Sequence, residues 1–518
     1  MTGLQGDAYS PSAPVKTESG LVSGRVLTNN TRAFLGVPYA APPTGSLRWR
    51  PPKPPIPWSD VRSATSFAPS AFQFPPPANS IYYGGETSFS EDCLYLNIYT
   101  GPEHEPTTTP TNPPPSARGL TVVTVNYRLG RLGFLAHPAL TAESHDGGGG
   151  TSGTSGNYGI LDQIAALQWV RRNIRAFGGD PAADAITIGG SSAGGSSVHI
   201  LWASPLARGL FGKAVVESGP GVAPVVAGVR GHVAAYTTLA AAETAGVELA
   251  AGLGASSVEE MRALPASAIA AVHLERADGK WRSGLWPAAR TSVSIFDTAS
   301  PVVDGYVLPE SPLTALLEGR AADVPLLAGN VGNEGSGLPF LASVAEYEEY
   351  VSETFGELAA EALQLYPAGN EQEVRQVTSQ LLADQVFVWS TWSSARLQAK
   401  SKTLKSPAWY YKFERAPPIP QDADLAEETR AGAFHCAVVP YAFGNLDAWQ
   451  WDWTDADREL SKSVSDALVR EWRHLWPALG SEGSLVKIWD TESSRLEAPG
   501  SRLTSVTAFW DKYYGIQG

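Results

Sequence analysis

Five short apolar runs of β-forming residues recur along this chain, at 121–126, 185–188, 213–216, 324–327 and 409–413, with helix-compatible stretches between them. Apolar runs of this length, with no polar alternation, read as strands buried on both faces, the condition met in a parallel sheet covered by helices. One intervening helix is explicit. Ile160, Ile164, Leu167, Val170 and Ile174 follow each other at steps of 4, 3, 3 and 4, which makes one apolar stripe on a 3.6-residue helix. The Gly178, Gly179, Asp180, Pro181 turn marks its end. An Ala-rich segment at 234–253 predicts a second helix, and Asp304–Gly305 between apolar flanks a tight turn. Ahead of the first run, residues 20–37 alternate apolar and polar as antiparallel hairpins do, and a Pro-rich stretch at 38–57 cannot hold regular structure. The expectation is an α/β fold with a mostly parallel central sheet flanked by helices and an N-terminal hairpin region.

No repeat period of 20 to 50 residues and no dividing linker is visible, so the 518 residues are read as one domain, 1–518. Within it, residues 1–15 are expected to form a disordered tail. The Thr/Pro-rich stretch at 101–118 and the Gly/Ser-rich stretch at 142–156 are expected to form low-complexity loops. With 43% hydrophobic and 17% charged residues, and 16 Trp, 18 Tyr and 16 Phe, a disordered, collagen-like or coiled-coil chain is excluded. A net charge of −14 argues against nucleic acid as a partner and slightly favours neutral or cationic ligands. Two cysteines, Cys93 and Cys436, cannot form a disulfide framework. There is no apolar leader in the first twenty residues and no membrane-length apolar run, so a cytoplasmic protein is expected from the sequence as written.

The run at 185–188 leads into Gly-Gly-Ser-Ser-Ala-Gly-Gly, where Gly190, Ser192 and Gly194 satisfy GxSxG, and a helix-compatible stretch follows through Trp202. Strand, sharp turn and helix in this order describe a nucleophile elbow, whose close backbone approach demands small residues beside the serine. Gly190, Ala193, Gly194 and Gly195 meet that demand. A serine nucleophile needs a base and an acid to orient it, and in this architecture they follow in the order Ser, Asp or Glu, His. Beyond Ser192 the histidines are His199, His232, His273, His435 and His474. His199 lies about two helical turns beyond the serine and is expected to pack, and His474 stands in an amphipathic helical context. His435 sits in a turn-rich loop after the run at 409–413, and Glu334 follows the run at 324–327 in Gly-Asn-Val-Gly-Asn-Glu-Gly. Both positions lie past carboxyl ends of strands, where open α/β sheets place their sites.

Several segments, in order, resemble the type-B carboxylesterases, which have the α/β-hydrolase fold. These are FLGVPYA from Phe34, LRWRPP from Leu47, SEDCLYLNI from Ser90, NYRLGRLGFL from Asn126, GNYGILDQ from Gly156, FGGDP from Phe177, PVVDG from Pro301 and PYAFG from Pro440. By that resemblance Ser192 matches the nucleophile, Glu334 the acid and His435 the base, and Ala193 supplies an oxyanion N–H. The resemblance implies hydrolysis of carboxylic esters through an acyl-enzyme, with no metal or organic cofactor and a small-molecule ester as partner. Activity is then expected to fall as His435 is protonated below about pH 6 to 7.

The chain departs from the family between Thr100 and Thr121, where a central strand and an HGG or HGGG oxyanion segment are replaced by GPEHEPTTTPTNPPPSARGL. The segment is missing from the sequence as written, or is absent at a catalytic cost, or has its amides replaced by those of 147–150. Loss of a central strand is expected to expose unpaired edges. A second reading follows: a hydrolase-fold protein that binds without turnover. Ser191 stands where the family has Glu, Val438 where it has an acidic residue, and Ala71 where a partner for Cys93 would be. Cys436 beside His435 is read as a small buried thiol. Trp202, Trp281, Trp286, Trp389 and Trp392 are candidates to line an apolar ester pocket, set against ordinary core packing.

Overall fold

The computed structural model describes residues 10–27, 30–73, 80–101, 119–146, 153–225, 236–270, 299–336, 338, 340–420, 432–469, 472–480, 484–491 and 494–516. Its strands fall into two main sheets. The first is antiparallel and contains β1 (Ser10–Pro11), β2 (Arg25–Val26), β3 (Arg32–Pro38), β4 (Tyr95–Thr100) and β5 (Val122–Val125), side by side in that order. The second contains β6 (Thr187–Ser191), β7 (Lys213–Glu217), β8 (Leu326–Val331), β9 (Ala408–Phe413), β10 (Val486–Trp489) and β11 (Arg495–Glu497). Its ladders are parallel from β6 through β10, and β11 closes it antiparallel.

Four of the five apolar runs therefore form adjacent parallel strands, with boundaries shifted by one to four residues. Residues Ala183–Ala185 form a 3₁₀ turn, so the nucleophile strand begins only at Thr187. The fifth run is a correction. Val122–Val125 pairs antiparallel with β4 and is only half-buried, with Thr124 exposed. Among the described residues no strand pairs with its outer edge, nor with the outer edge of β6. The stretch in which the family's central strand is expected, 102–118, lies outside the described residues.

Helix α1 (Tyr158–Asn173) packs on both sheets, and the apolar stripe read from sequence explains how. Its Ile160 and Ile164 pack with Ile188, Val216, Leu326 and Tyr410 of the parallel sheet. Its Ala166, Trp169 and Val170 pack with Phe34, Val37, Leu96 and Ile98 of the antiparallel sheet. Ile186, just before β6, touches both clusters. Thr187 and Gly189 of β6 are exposed where an interior strand would be covered, whereas all six residues of β8 are buried.

A buried ion pair fastens this junction. Arg128, just after β5, donates from Nε and Nη2 to Asp162 of α1 at 2.8 and 2.7 Å, and its backbone N–H donates to the same carboxylate at 3.1 Å. Both side chains are almost fully buried. Asp162→Ala would leave a buried guanidinium uncompensated, so a loss of about 3–5 kcal/mol in urea-unfolding stability is expected. A loss below about 1 kcal/mol, the range of an exposed pair, would show that α1 does not depend on it.

Other expectations are adjusted locally. Residues 10–11 and 15–17 are strands, so the tail expected at 1–15 does not extend through them, and residues 1–9 lie outside the described residues. The stretch 142–146 belongs to the helix Pro138–Asp146, and Thr154 and Ser155 are buried, with Thr154 Oγ1 bonded to Asp304 Oδ2 at 2.9 Å. The Thr/Pro-rich run and residues 147–152 lie outside the described residues. The Ala-rich segment gives the helix Leu239–Gly252, its Thr238 side chain capping the Ala241 N–H. No described helix is long and apolar enough to cross a membrane.

Candidate active site

The serine emerges where β6 meets helix α2 (Ala193–Ala203). Ser192 has φ 57° and ψ −119°, a strained position held by its backbone: its N–H donates to Glu217 O, and its carbonyl accepts from Ser196 N–H, both at 2.9 Å. Small neighbours are obligatory. A Cβ on Gly190 would lie 2.4 Å from the Gly194 carbonyl carbon, and one on Gly195 2.7 Å from Gly219 Cα. The glycines at 190 and 195 are thus packing requirements of this turn, whereas a Cβ at Gly194 would meet nothing within 4 Å. The Ser192 N–H is already bonded to Glu217 O, whereas Ala193 opens the first turn of α2, whose N–H groups have no partner within the helix.

Glu334 follows β8 and His435 follows β9, and a short parallel bridge between Asn333 and Phe434 holds the two loops together. Glu334 Oε2 lies 2.6 Å from His435 Nδ1, with Glu334 3% and His435 7% exposed. The other carboxylate oxygen accepts from Ser218 Oγ at 2.6 Å, Asn330 Nδ2 at 2.7 Å and the Val331 N–H at 3.0 Å. The His435 N–H donates to Ser336 Oγ at 2.7 Å, its carbonyl accepts from Tyr82 Oη at 3.3 Å, and Phe387 stacks on the ring at 4.2 Å between centroids. Carboxylate, imidazole and their supports are therefore fixed from several sides. His435 Nε2 has no hydrogen-bond partner, so the bond to Ser192 Oγ is not formed in this state. Such contacts commonly tighten only with substrate bound.

Burial opposes a charge on His435, but contact with Cys436 and with Glu334 outweighs it, and the pKa is pulled up to about 10. Glu217, fully enclosed beneath the serine turn, is pushed up to about 7 by burial, with Tyr411 Oη at 3.4 Å opposing the shift.

The other candidates are placed elsewhere. His199 is fully buried, and burial drives its pKa down to about 3, so it stays neutral and packs near Trp202. His474 is exposed, at the end of a 3₁₀ turn (Trp472–His474) and not on an amphipathic helix. His232, His273, Trp281, Trp286 and the 147–150 glycines lie outside the described residues. Trp202, Trp389 and Trp392 are core residues: the first is sealed with Leu316 and Leu404, the second donates to Asp511, and the third packs edge-on to Tyr410. Cys93 and Cys436 are both free thiols, and Cys436 is only half-buried, which corrects the expectation of a buried one. Among the described residues no group of three or more His, Cys, Asp or Glu could hold a metal.

Sequence reading missed Ser218, Asn330, Ser336 and Phe387. Ser218 carried a usable signal, since it follows a parallel strand next to the nucleophile strand. Phe387 had none, because it reaches His435 from a single π-helical turn, Asp384–Val388, whose register no local pattern announces.

Residues 11–114 and 116–470 match the model of the Carboxylesterase family. The chain is 34% identical over 456 residues to fumonisin B1 esterase of Sphingopyxis macrogoltabida, covering 83% of this chain and 74% of that protein. It is 31% identical over 522 residues to para-nitrobenzyl esterase of Bacillus subtilis (strain 168), covering 92% and 95%. A solved PNB esterase structure superposes with a TM-score of 0.71 at 29% identity, over 95% of this chain and 99% of that one.

Proposed function

The chain belongs to the type-B carboxylesterase family and is a carboxylic-ester hydrolase; from that premise we propose that it works through an acyl-enzyme on Ser192, with His435 as general base and acid and Glu334 orienting it. The observation that carries this reading is the 2.6 Å contact of Glu334 with His435 Nδ1, which leaves Nε2 as the free face of the imidazole. Ser192 Oγ attacks the ester carbonyl, and its proton passes to Nε2. Collapse of the tetrahedral species expels the alcohol, to which His435 returns the proton, and water repeats the sequence to free the acid. Glu334 fixes the tautomer and stabilises the imidazolium. The Ala193 N–H receives the developing oxyanion. We assign apolar aryl and alkyl esters as substrates, a choice supported by the para-nitrobenzyl ester named for one relative.

Among the described residues β6 has no strand on its outer edge, which favours a slow hydrolase and is also what a protein binding esters without turnover would show. Fluorophosphonate labelling of the full chain, read by intact mass, separates the two. One covalent adduct per chain is expected, and a folded, monodisperse chain that takes up none would favour the binding reading.

The pH dependence has a definite sign. His435 must be neutral to accept a proton, and its pKa is raised from 6.5, so activity is present above the folded-state pKa and lost as pH falls through it. The acid limb of kcat/KM is expected on the alkaline side of 6.5, in contrast to the pH 6 to 7 of an unperturbed histidine. A limb at or below 6.5 would mean that Cys436 and Glu334 do not jointly hold the imidazolium.

A further inference from the structure

Two free thiols occupy opposite environments in this protein. Cys93 is 1% exposed inside the cluster of Leu94, Leu96 and Ile98, and burial pushes its thiol far above the usual range. Cys436 is half-buried and has a left-handed backbone, φ 71°, directly after His435. Its Sγ accepts a hydrogen bond from Ser191 Oγ at 3.4 Å, which places the sulfur against the residue preceding the nucleophile. The preceding residue, His435, is more than nine-tenths buried, its Nε2 has no hydrogen-bond partner, and Cys436 is among the groups that raise its pKa. A thiol, an unpartnered imidazole nitrogen and a partly open approach therefore coincide next to the ester site.

We propose that Cys436 is a thiol-modification site, at which a low-molecular-weight disulfide forms a mixed disulfide that blocks the space between Ser191 and His435. Cys436 Sγ attacks one sulfur of the disulfide, the S–Cys436 bond forms, and the S–S bond breaks. The departing thiolate takes the electron pair and then the proton lost by the thiol, so one thiol is consumed and one released. A reducing thiol reverses the exchange. The added group stands where Ser192 and His435 must close on each other, so ester hydrolysis stops. That effect on turnover rests on the catalytic reading above, whereas the labelling does not.

The test uses 2,2′-dithiodipyridine on the full chain, following released pyridine-2-thione, aryl-ester hydrolysis and the adduct mass together. The first equivalent of thione is expected in a fast phase mapped to Cys436. Hydrolysis should fall in step by about 10²-fold, the scale on which misplacing a catalytic group costs rate, and return with dithiothreitol. The second equivalent, from Cys93, is expected only on denaturation. Cys436→Gly suits the left-handed backbone, and this variant should lose the fast phase, leaving whatever turnover it has insensitive to the reagent. No thione release before unfolding, a fast phase that maps to Cys93, or complete labelling of Cys436 with unchanged hydrolysis would overturn the proposal. A chain that labels at Cys436 yet hydrolyses no ester from the start would overturn the catalytic reading and leave the modification site standing.

Discussion

Ser192→Ala is expected to cut hydrolysis of a short aryl ester by about 10⁴- to 10⁶-fold, the range seen when one member of a serine triad is removed. The loss is chemical, because the substitution deletes the attacking oxygen and leaves the turn intact. What holds residue 192 at φ 57° is backbone bonding to Glu217 and Ser196, together with the close approaches at Gly190 and Gly195, none of which needs the hydroxyl. The unfolding midpoint should therefore stay within experimental error of the parent, and fluorophosphonate labelling should vanish. Hydrolysis at the parent rate in this variant would remove Ser192 from the mechanism.

The second large effect is a gain. Inserting into 102–118 an apolar strand of about six residues followed by His-Gly-Gly-Gly is expected to raise kcat by about 10²- to 10³-fold for each oxyanion donor restored. Among the described residues β5 and β6 each have an edge with no strand beside it, both sheets pack on the same helix, and exposed Thr124, Thr187 and Gly189 are residues that an added strand could cover. A strand entering there pairs with both edges, and its carboxyl end arrives beside Ser192 and Ala193. KM should change less than kcat, since the added donors bind charge that exists only in the transition state. A folded insertion variant with unchanged kcat would mean that the added donors contribute nothing to the reaction.

Much of the candidate site is legible because each member sits in a local pattern with its own physical cause. GxSxG between a strand and a helix follows from the steric demand at Gly190 and Gly195. Glu334 and His435 each follow the carboxyl end of a parallel strand, which periodicity and apolar content reveal. The apolar stripe of Ile160, Ile164 and Val170 located α1, but not that its two halves serve different sheets. Strand direction was misread at Val122–Val125, since a short apolar run carries no sign of whether its partner runs parallel or antiparallel. The tryptophans were ambiguous for a related reason: a large ring fills a core or a pocket equally well, and Trp202, Trp389 and Trp392 fill the core.

The sequence by itself determined the family and singled out Ser192, Glu334 and His435 as candidates, because these depend on residue identity at fixed short spacings. Only the tertiary structure decided what lies across long separations. It brought Glu334 within 2.6 Å of His435, 101 residues away. It set Cys436 against Ser191, 245 residues away. Contacts of that kind arise from how strands order themselves in a sheet, a property of the whole packed chain that no local spacing encodes.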